Sequence, residues 1–232
     1  MIVRQLFDSE TSTYTYLLSD PASAKAALVD PVREQLERDL KLVDELGLSL
    51  AFVLETHVHA DHVTSGGVLA DRTGAVTAAS CLGAVCASRH LRHGDVVELG
   101  AARIRALETP GHTKDSLSFH VDGHVFTGDA LLVRGTGRTD FQSGDAGELY
   151  DSITGKLFTL PDATLVWPGH DYRGHTVSTI GEEKRHNPRL AGKSRDEFIA
   201  IMQGLKLAPP KKIQVAVPAN LVCGREISAL TA

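Results

Sequence analysis

The sequence predicts an α/β protein built as a four-layer αββα sandwich. Strand-like and helix-like segments are mixed, and strands occur in both halves of the chain, so each half reads as a sheet with helices on its outer face. Several apolar strands run straight into short loops carrying histidine or aspartate, which places those loops together at one edge of the paired sheets. A length of 232 residues, 42% of them hydrophobic, is ample for one large core. Residues 1–232 are therefore expected to form a single domain, with residues 178–232 a C-terminal extension packed on it.

Residues 2–7 and 12–18 alternate in strand fashion around turn residues Asp8 to Glu10, predicting a hairpin. Residues 26–29 form a short buried strand ending at Asp30-Pro31. A helix follows, with Leu36, Leu40, Val43 and Leu46 on one face and Gly47 as its stop. Residues 50–55 are a strand, 63–72 a helix and 75–79 a further strand. The middle is strand-rich, at 103–108, 116–121 and 124–127, with Asp122-Gly123 a two-residue hairpin turn. A glycine-rich loop leads to a helix at 146–158, then a strand at 163–167. Residues 178–207 are helical in pattern, and 213–217 are short and β-like.

The formal charge is −5, and no run of five like charges occurs. That excludes a basic nucleic-acid footprint and a polybasic membrane patch. The N-terminal MIVRQLF leads into no apolar stretch of signal length, and no later segment approaches about eighteen uninterrupted apolar residues. Neither an export signal nor a membrane span is expected. Cys81, Cys86 and Cys223 are odd in number and lack CxxC spacing, which argues against a disulfide framework or zinc ribbon and for a reducing compartment. The expected location is cytoplasmic.

The informative segment is His57-Val58-His59-Ala60-Asp61-His62, four ligand-type side chains within six residues at the end of an apolar strand. Burying them unpaired would be costly, so a metal or a hydrogen-bond network should hold them. Three more such signals fall at loop ends: Thr109-Pro110-Gly111-His112-Thr113, Phe126-Thr127-Gly128-Asp129 and Pro168-Gly169-His170-Asp171. Each strand ends by presenting one ligand.

HxHxDH followed by H, D and H at these separations resembles the metallo-β-lactamase superfamily over about residues 1–187. In its hydrolases, equivalents of His57, His59 and His112 bind one zinc, equivalents of Asp61, His62 and His170 a second, and the equivalent of Asp129 bridges them. Finer motifs narrow the resemblance. Leu132 to Gln142, His170-Asp171-Tyr172-Arg173-Gly174, Thr176 to Lys184, Asn187-Pro188-Arg189-Leu190 and Val217-Pro218-Ala219-Asn220 with Cys223-Gly224 together look like the persulfide dioxygenases. That likeness covers essentially the whole chain and makes 178–232 an extension specific to the family. One departure is Thr136, where members of that family often carry cysteine; it is not expected to be a ligand.

The resemblance implies one iron(II) per chain on His57, His112 and Asp129. Two histidines and a carboxylate on one face leave three positions open, as an oxygenase needs to hold substrate and O₂ side by side. The implied reaction takes glutathione persulfide, O₂ and water to glutathione and sulfite. His59, Asp61, His62 and His170 would then orient the triad by hydrogen bonds. Since every residue of a dinuclear site is present, a glyoxalase II-like dinuclear zinc hydrolase of glutathione thioesters stays open, as do a β-lactam or lactone hydrolase and a metal-dependent scaffold. Arg138, Arg173 and Tyr172, in loops adjacent to ligands, are the candidates for substrate binding, arginine offering a bidentate fit to carboxylate. Arg138 could instead pin its loop through Asp140. Tyr172 is also the catalytic candidate, placed to hydrogen-bond water or O₂ at the metal. A homodimer and a rhodanese-type sulfurtransferase partner are compatible with the resemblance.

Overall fold

The computed structural model describes residues 1–225. A first six-stranded sheet runs in chain order: β1 (Ile2–Asp8), β2 (Thr13–Asp20), β3 (Lys25–Val29), β4 (Ser49–Leu54), β5 (Val76–Ser80) and β6 (Arg89–Leu91). The second, also six-stranded, is ordered β12 (Ser178–Thr179), β11 (Leu165–Pro168), β10 (His124–Gly128), β9 (Leu117–Val121), β8 (Ala102–Glu108), β7 (Val96–Leu99). Helices α1 (Leu36–Glu45) and α2 (Gly66–Thr73) cover the outside of the first sheet. Helices α3 (Ala146–Gly155), α4 (Ile180–His186) and α5 (Arg195–Gln203) cover the second. This is the expected αββα sandwich.

Side-chain alternation explains the layering. In β2, Tyr14, Tyr16 and Leu18 point between the sheets while Leu17 points towards α1 and α2; in β3, Ala27 and Val29 point inwards, Ala26 and Leu28 outwards. Strands β3 to β6 run parallel, and β3 and β4, covered on both faces, read as near-continuous apolar runs. Leu36, Leu40 and Val43 form the apolar stripe of α1, and Gly47 at φ +62° ends it. Asp122 and Gly123, both at positive φ, make the two-residue turn between β9 and β10. Tyr16 crosses the seam: its ring meets Phe126 edge-on at 5.0 Å, and its hydroxyl donates to the Pro168 carbonyl at 2.6 Å. At the site edge Tyr14 N donates to Gly169 O at 2.8 Å, tying β2 to the loop that carries His170.

Several expectations are corrected. Strands β6 and β7, three and four residues long, are too short to register in the sequence. The predicted helix at 63–72 starts only at Gly66, and the helical tail divides into β12, α4 and α5, with a break at Asn187-Pro188. Residues 213–217 are not β-like but open a helix, α6 (Ile213–Leu221). The alternation of Ile213, Val215 and Val217 favours a strand locally, yet Ala216 and Asn220, one helical turn apart, are the positions that bury here, at 0% and 3% exposure. Tertiary contact overrides propensity. Finally, Cys86 and Cys223 form a disulfide, with Cα atoms 5.9 Å apart, whereas the cysteine count argued against one. Their separation of 137 residues leaves no local spacing to detect, and cysteine usage no longer argues for a reducing compartment.

Candidate metal centre

The seam between the sheets opens at one edge, where the loops after β4, β8, β10 and β11 deliver His57, His112, Asp129 and His170. One donor atom from each of His57, His112 and Asp129 lies within 4.8 Å of the others. The rings of His57 and His112 stand edge-on with centroids 4.9 Å apart, and His112 Nε2 is 3.6 Å from Asp129 Oδ2.

Each donor is aimed by a partner behind it. Thr56 Oγ1 donates to Asp30 Oδ2 at 2.7 Å, so the same hydroxyl accepts from His57 Nδ1 at 2.9 Å, leaving the His57 Nε2 lone pair for a metal. His112 Nδ1 donates to the Arg138 carbonyl at 2.7 Å, a partner that can only accept, so its Nε2 lone pair is free as well. His170 Nδ1 donates to Asp129 Oδ1 at 2.7 Å, leaving Oδ2 facing the histidines. Burial holds His57 well below the ordinary imidazole pKa, reinforced by His59 and His112. Burial would raise the Asp129 carboxyl, but His170, His112 and His57 outweigh it and hold it below the usual range. A neutral imidazole and an ionised carboxylate are the states a metal ligand requires, so these residues fit a metal.

Gly137 closes the back of the centre. Its N–H donates to the Asp129 carbonyl at 2.7 Å, and a Cβ there would stand 2.3 Å from that oxygen and 2.8 Å from His112 Nδ1. No other residue fits.

The remaining motif residues contact one another. Asp61 Oδ2 lies 2.9 Å from His62 Nδ1 and 3.0 Å from His170 Nε2, while Thr13 Oγ1 reaches His170 Nε2 at 3.1 Å. His170 thus faces a carboxylate oxygen with each nitrogen. His59 Nε2 sits 3.2 Å from Asp30 Oδ1 and 3.6 Å from Glu55 Oε2. Donor atoms of His59, Asp61 and His62 also fall within 4.8 Å of one another, as do those of Asp30, Glu55 and His59.

The metallo-β-lactamase superfamily model matches residues 9–80 and 89–170, which contain all seven motif residues. The human mitochondrial persulfide dioxygenase ETHE1 is 46% identical over 97% of this chain and 89% of its own length. The crystal structure of ETHE1 from Myxococcus xanthus superposes with a TM-score of 0.96 at 61% identity, covering 97% of this chain and all of that one. The chain belongs to the persulfide dioxygenase family. A crystal structure described as a metallo-β-lactamase from Staphylococcus aureus reaches a TM-score of 0.89 at 27% identity, covering 97% of this chain and 73% of that one.

In this member of the persulfide dioxygenase family His57, His112 and Asp129 border a cleft of about 690 Å³. Arg138 lines it, but its guanidinium is engaged: Nε and Nη2 hold Asp140 at 2.6 and 2.8 Å, Nη1 donates to Ala208 O at 2.6 Å, and it lies 4.5 Å over Phe141. Arg173 lines the cleft with no ion-pair partner among the described residues. The Tyr172 side chain is exposed, its ring stacked 6.0 Å from that of His170. Arg189 and Lys211 also line the cleft and were not foreseen. Arg189 donates to the Thr136 carbonyl at 2.8 Å and its hydroxyl at 3.0 Å, giving that departure from the family pattern a polar role. Thr56, Asp30 and the Arg138 carbonyl were missed too. Thr56 beside His57, and Asp30 at a strand end, carried a weak signal; a carbonyl carries none.

Proposed function

We propose that this chain is a non-haem iron persulfide dioxygenase that oxidises glutathione persulfide with O₂ and water to glutathione and sulfite. The observation that carries the reading is the triad His57, His112 and Asp129, two imidazoles and one carboxylate converging from three loops, in a chain 46% identical to an enzyme of that name. A single iron(II) held there would supply open positions for a soft persulfide sulfur and for O₂, and with them the redox chemistry. The protein's part is orientation. Asp30 acting through Thr56, the Arg138 carbonyl and His170 each fix one ligand, so the three donors are set before substrate arrives. His170 engages one oxygen of Asp129, which favours coordination through the other oxygen alone.

In the one-metal reading both nitrogens of His170 serve hydrogen bonds, Nδ1 to Asp129 Oδ1 and Nε2 to Asp61 Oδ2, and it acts by orienting the triad. For the substrate, Arg173 is the cation best placed to meet a carboxylate of glutathione, with Arg189 and Lys211 beside it, whereas Arg138 serves the loop. Tyr172, stacked on His170 at the cleft mouth, is placed to donate a hydrogen bond to the persulfide or to water.

The test is elemental analysis of anaerobically purified protein combined with oxygen uptake and sulfite release on glutathione persulfide. About one iron per chain and sulfite formed in step with oxygen consumed are expected. Two zinc ions per chain with thioesterase activity would overturn the reading in favour of the dinuclear hydrolase.

A further inference from the structure

The stretch from Glu55 to Ser65 carries four motif residues yet has almost no regular secondary structure, so its backbone groups depend on side chains brought from elsewhere. Asp30 Oδ1 accepts from Thr56 N at 2.7 Å, Asp115 Oδ2 from Val58 N at 2.8 Å, and Gln142 Nε2 donates to Val58 O at 2.7 Å. At the far end Arg33 N donates to Val63 O at 2.8 Å and Ser65 N to Pro31 O at 3.0 Å, while three groups between His59 and Thr64 are gathered by one side chain. Asn220, on α6, is 3% exposed; its Nδ2 donates to His59 O at 2.9 Å and to His62 O at 2.8 Å, and its Oδ1 accepts from Thr64 N at 2.8 Å. Among the described residues those two carbonyls take no other hydrogen bond. Both donors and the acceptor of the amide are thus engaged with the loop.

We propose that Asn220 is a positioning residue of the metal centre, fastening the loop that begins at His57 and ends at Thr64 so that its ligand stands at a fixed place opposite His112 and Asp129. The residue makes no hydrogen bond to the triad and does not line the cleft. Its placement explains why α6 forms against local β preference: a helix lets Asn220 and Ala216 bury side by side over the loop, which a strand of alternating faces would not. The helix end is anchored separately, by the Cys86–Cys223 disulfide, by Gly67 N donating to Cys223 O at 2.8 Å, and by Arg225 on Asp71 at 2.7 Å. Those anchors hold α6 without touching the ligand loop, so loosening the helix and losing the amide can be told apart.

The proposal rests on a metal standing at His57, His112 and Asp129. The measurement is the rate at which holoenzyme releases its metal to excess chelator, alongside Tm and the visible spectrum of the cobalt-substituted protein. Asn220→Ala should release metal about ten- to hundred-fold faster than the parent and alter the cobalt spectrum. Asn220→Asp, which keeps the bond from Thr64 but sets a carboxylate against the two carbonyls, should do the same. Arg225→Ala and Cys86→Ser should lower Tm while leaving release and spectrum unchanged. If Asn220→Ala does not fold, Asn220→Asp carries the comparison. Release from the Asn220 variants no faster than from Arg225→Ala at matched Tm, with the parent spectrum, would overturn the proposal. Chelator release reads whichever metal is bound, so finding zinc would overturn the iron reading and leave this inference standing.

Discussion

Replacing His170 with alanine separates the one-metal from the two-metal centre. The change removes the donor that holds Asp129 Oδ1 at 2.7 Å and frees Asp61 Oδ2 from its contact at 3.0 Å. A hydrogen bond to an ionised group contributes about 1.5–3 kcal/mol, and at about 1.4 kcal/mol per decade that is roughly a ten- to hundred-fold loss of metal affinity. In a one-metal centre the stoichiometry at saturation stays at about one, and only the dissociation constant moves. In a two-metal centre His170 would itself be a ligand, and saturation would fall from two ions to one. Anaerobic titration of apoprotein with ferrous iron against a competing chelator, with total metal by elemental analysis, measures both quantities. A drop from two ions to one, or a loss of binding as complete as in Asp129→Ala, would refute the reasoning.

Arg138→Ala should lower Tm and metal content, because the Asp140 and Ala208 ties that steady the carbonyl under His112 are lost, while KM per metal-loaded enzyme stays put. Arg173→Ala should instead raise KM by about ten- to hundred-fold with little change in kcat, and kinetics normalised to bound metal distinguish the two. Gly137→Ala should abolish metal binding, since its Cβ would lie 2.3 Å from the Asp129 carbonyl, whereas Gly155→Ala, with nothing within 4 Å, should leave metal content unchanged. Burial pushes the Asp39 carboxyl up to about 6 in spite of Arg38 beside it. The folded state therefore holds this proton more tightly than the unfolded chain, and stability drains away as pH rises from about 4 through 6. Asp39→Asn should raise stability at about pH 7.5, by up to ~3 kcal/mol, and be near neutral at about pH 4, as thermal melts at the two values would show.

The sandwich was legible because β2, β3 and α1 keep strict faces, two residues per repeat in the strands and three to four in the helix. The candidate ligands were legible for a related reason: an apolar strand that ends in several ionisable groups, as β4 does at His57 to His62, has no ordinary packing explanation. What supports those ligands was largely hidden. The Asp30–Thr56 relay, the Arg138 carbonyl behind His112 and the Asn220 amide each join residues far apart in the chain or use backbone atoms, and neither leaves a periodic trace. Arg138 shows the ambiguity in one side chain: a cleft-lining guanidinium and an internal tie look alike until Ala208, 70 residues away, is seen to accept from it. The helix at 213–221 and the Cys86–Cys223 bridge were misjudged because local pattern was asked to report on long-range contact.

The triad is divided between layers: His57 follows the first sheet, and His112 and Asp129 follow the second. Its shape is therefore a readout of how the two sheets are registered on each other, which is decided far from the cleft by contacts such as Tyr16 against Phe126 and Trp167. Close-packed interiors transmit small displacements rather than absorbing them. A substitution deep in the seam that shifts one sheet by a fraction of an ångström would empty the centre before it unfolded the protein. Such a variant would arrive from purification well folded, poor in metal and normal in turnover per metal ion. Surveys that score activity per milligram would mistake a packing residue for a catalytic one.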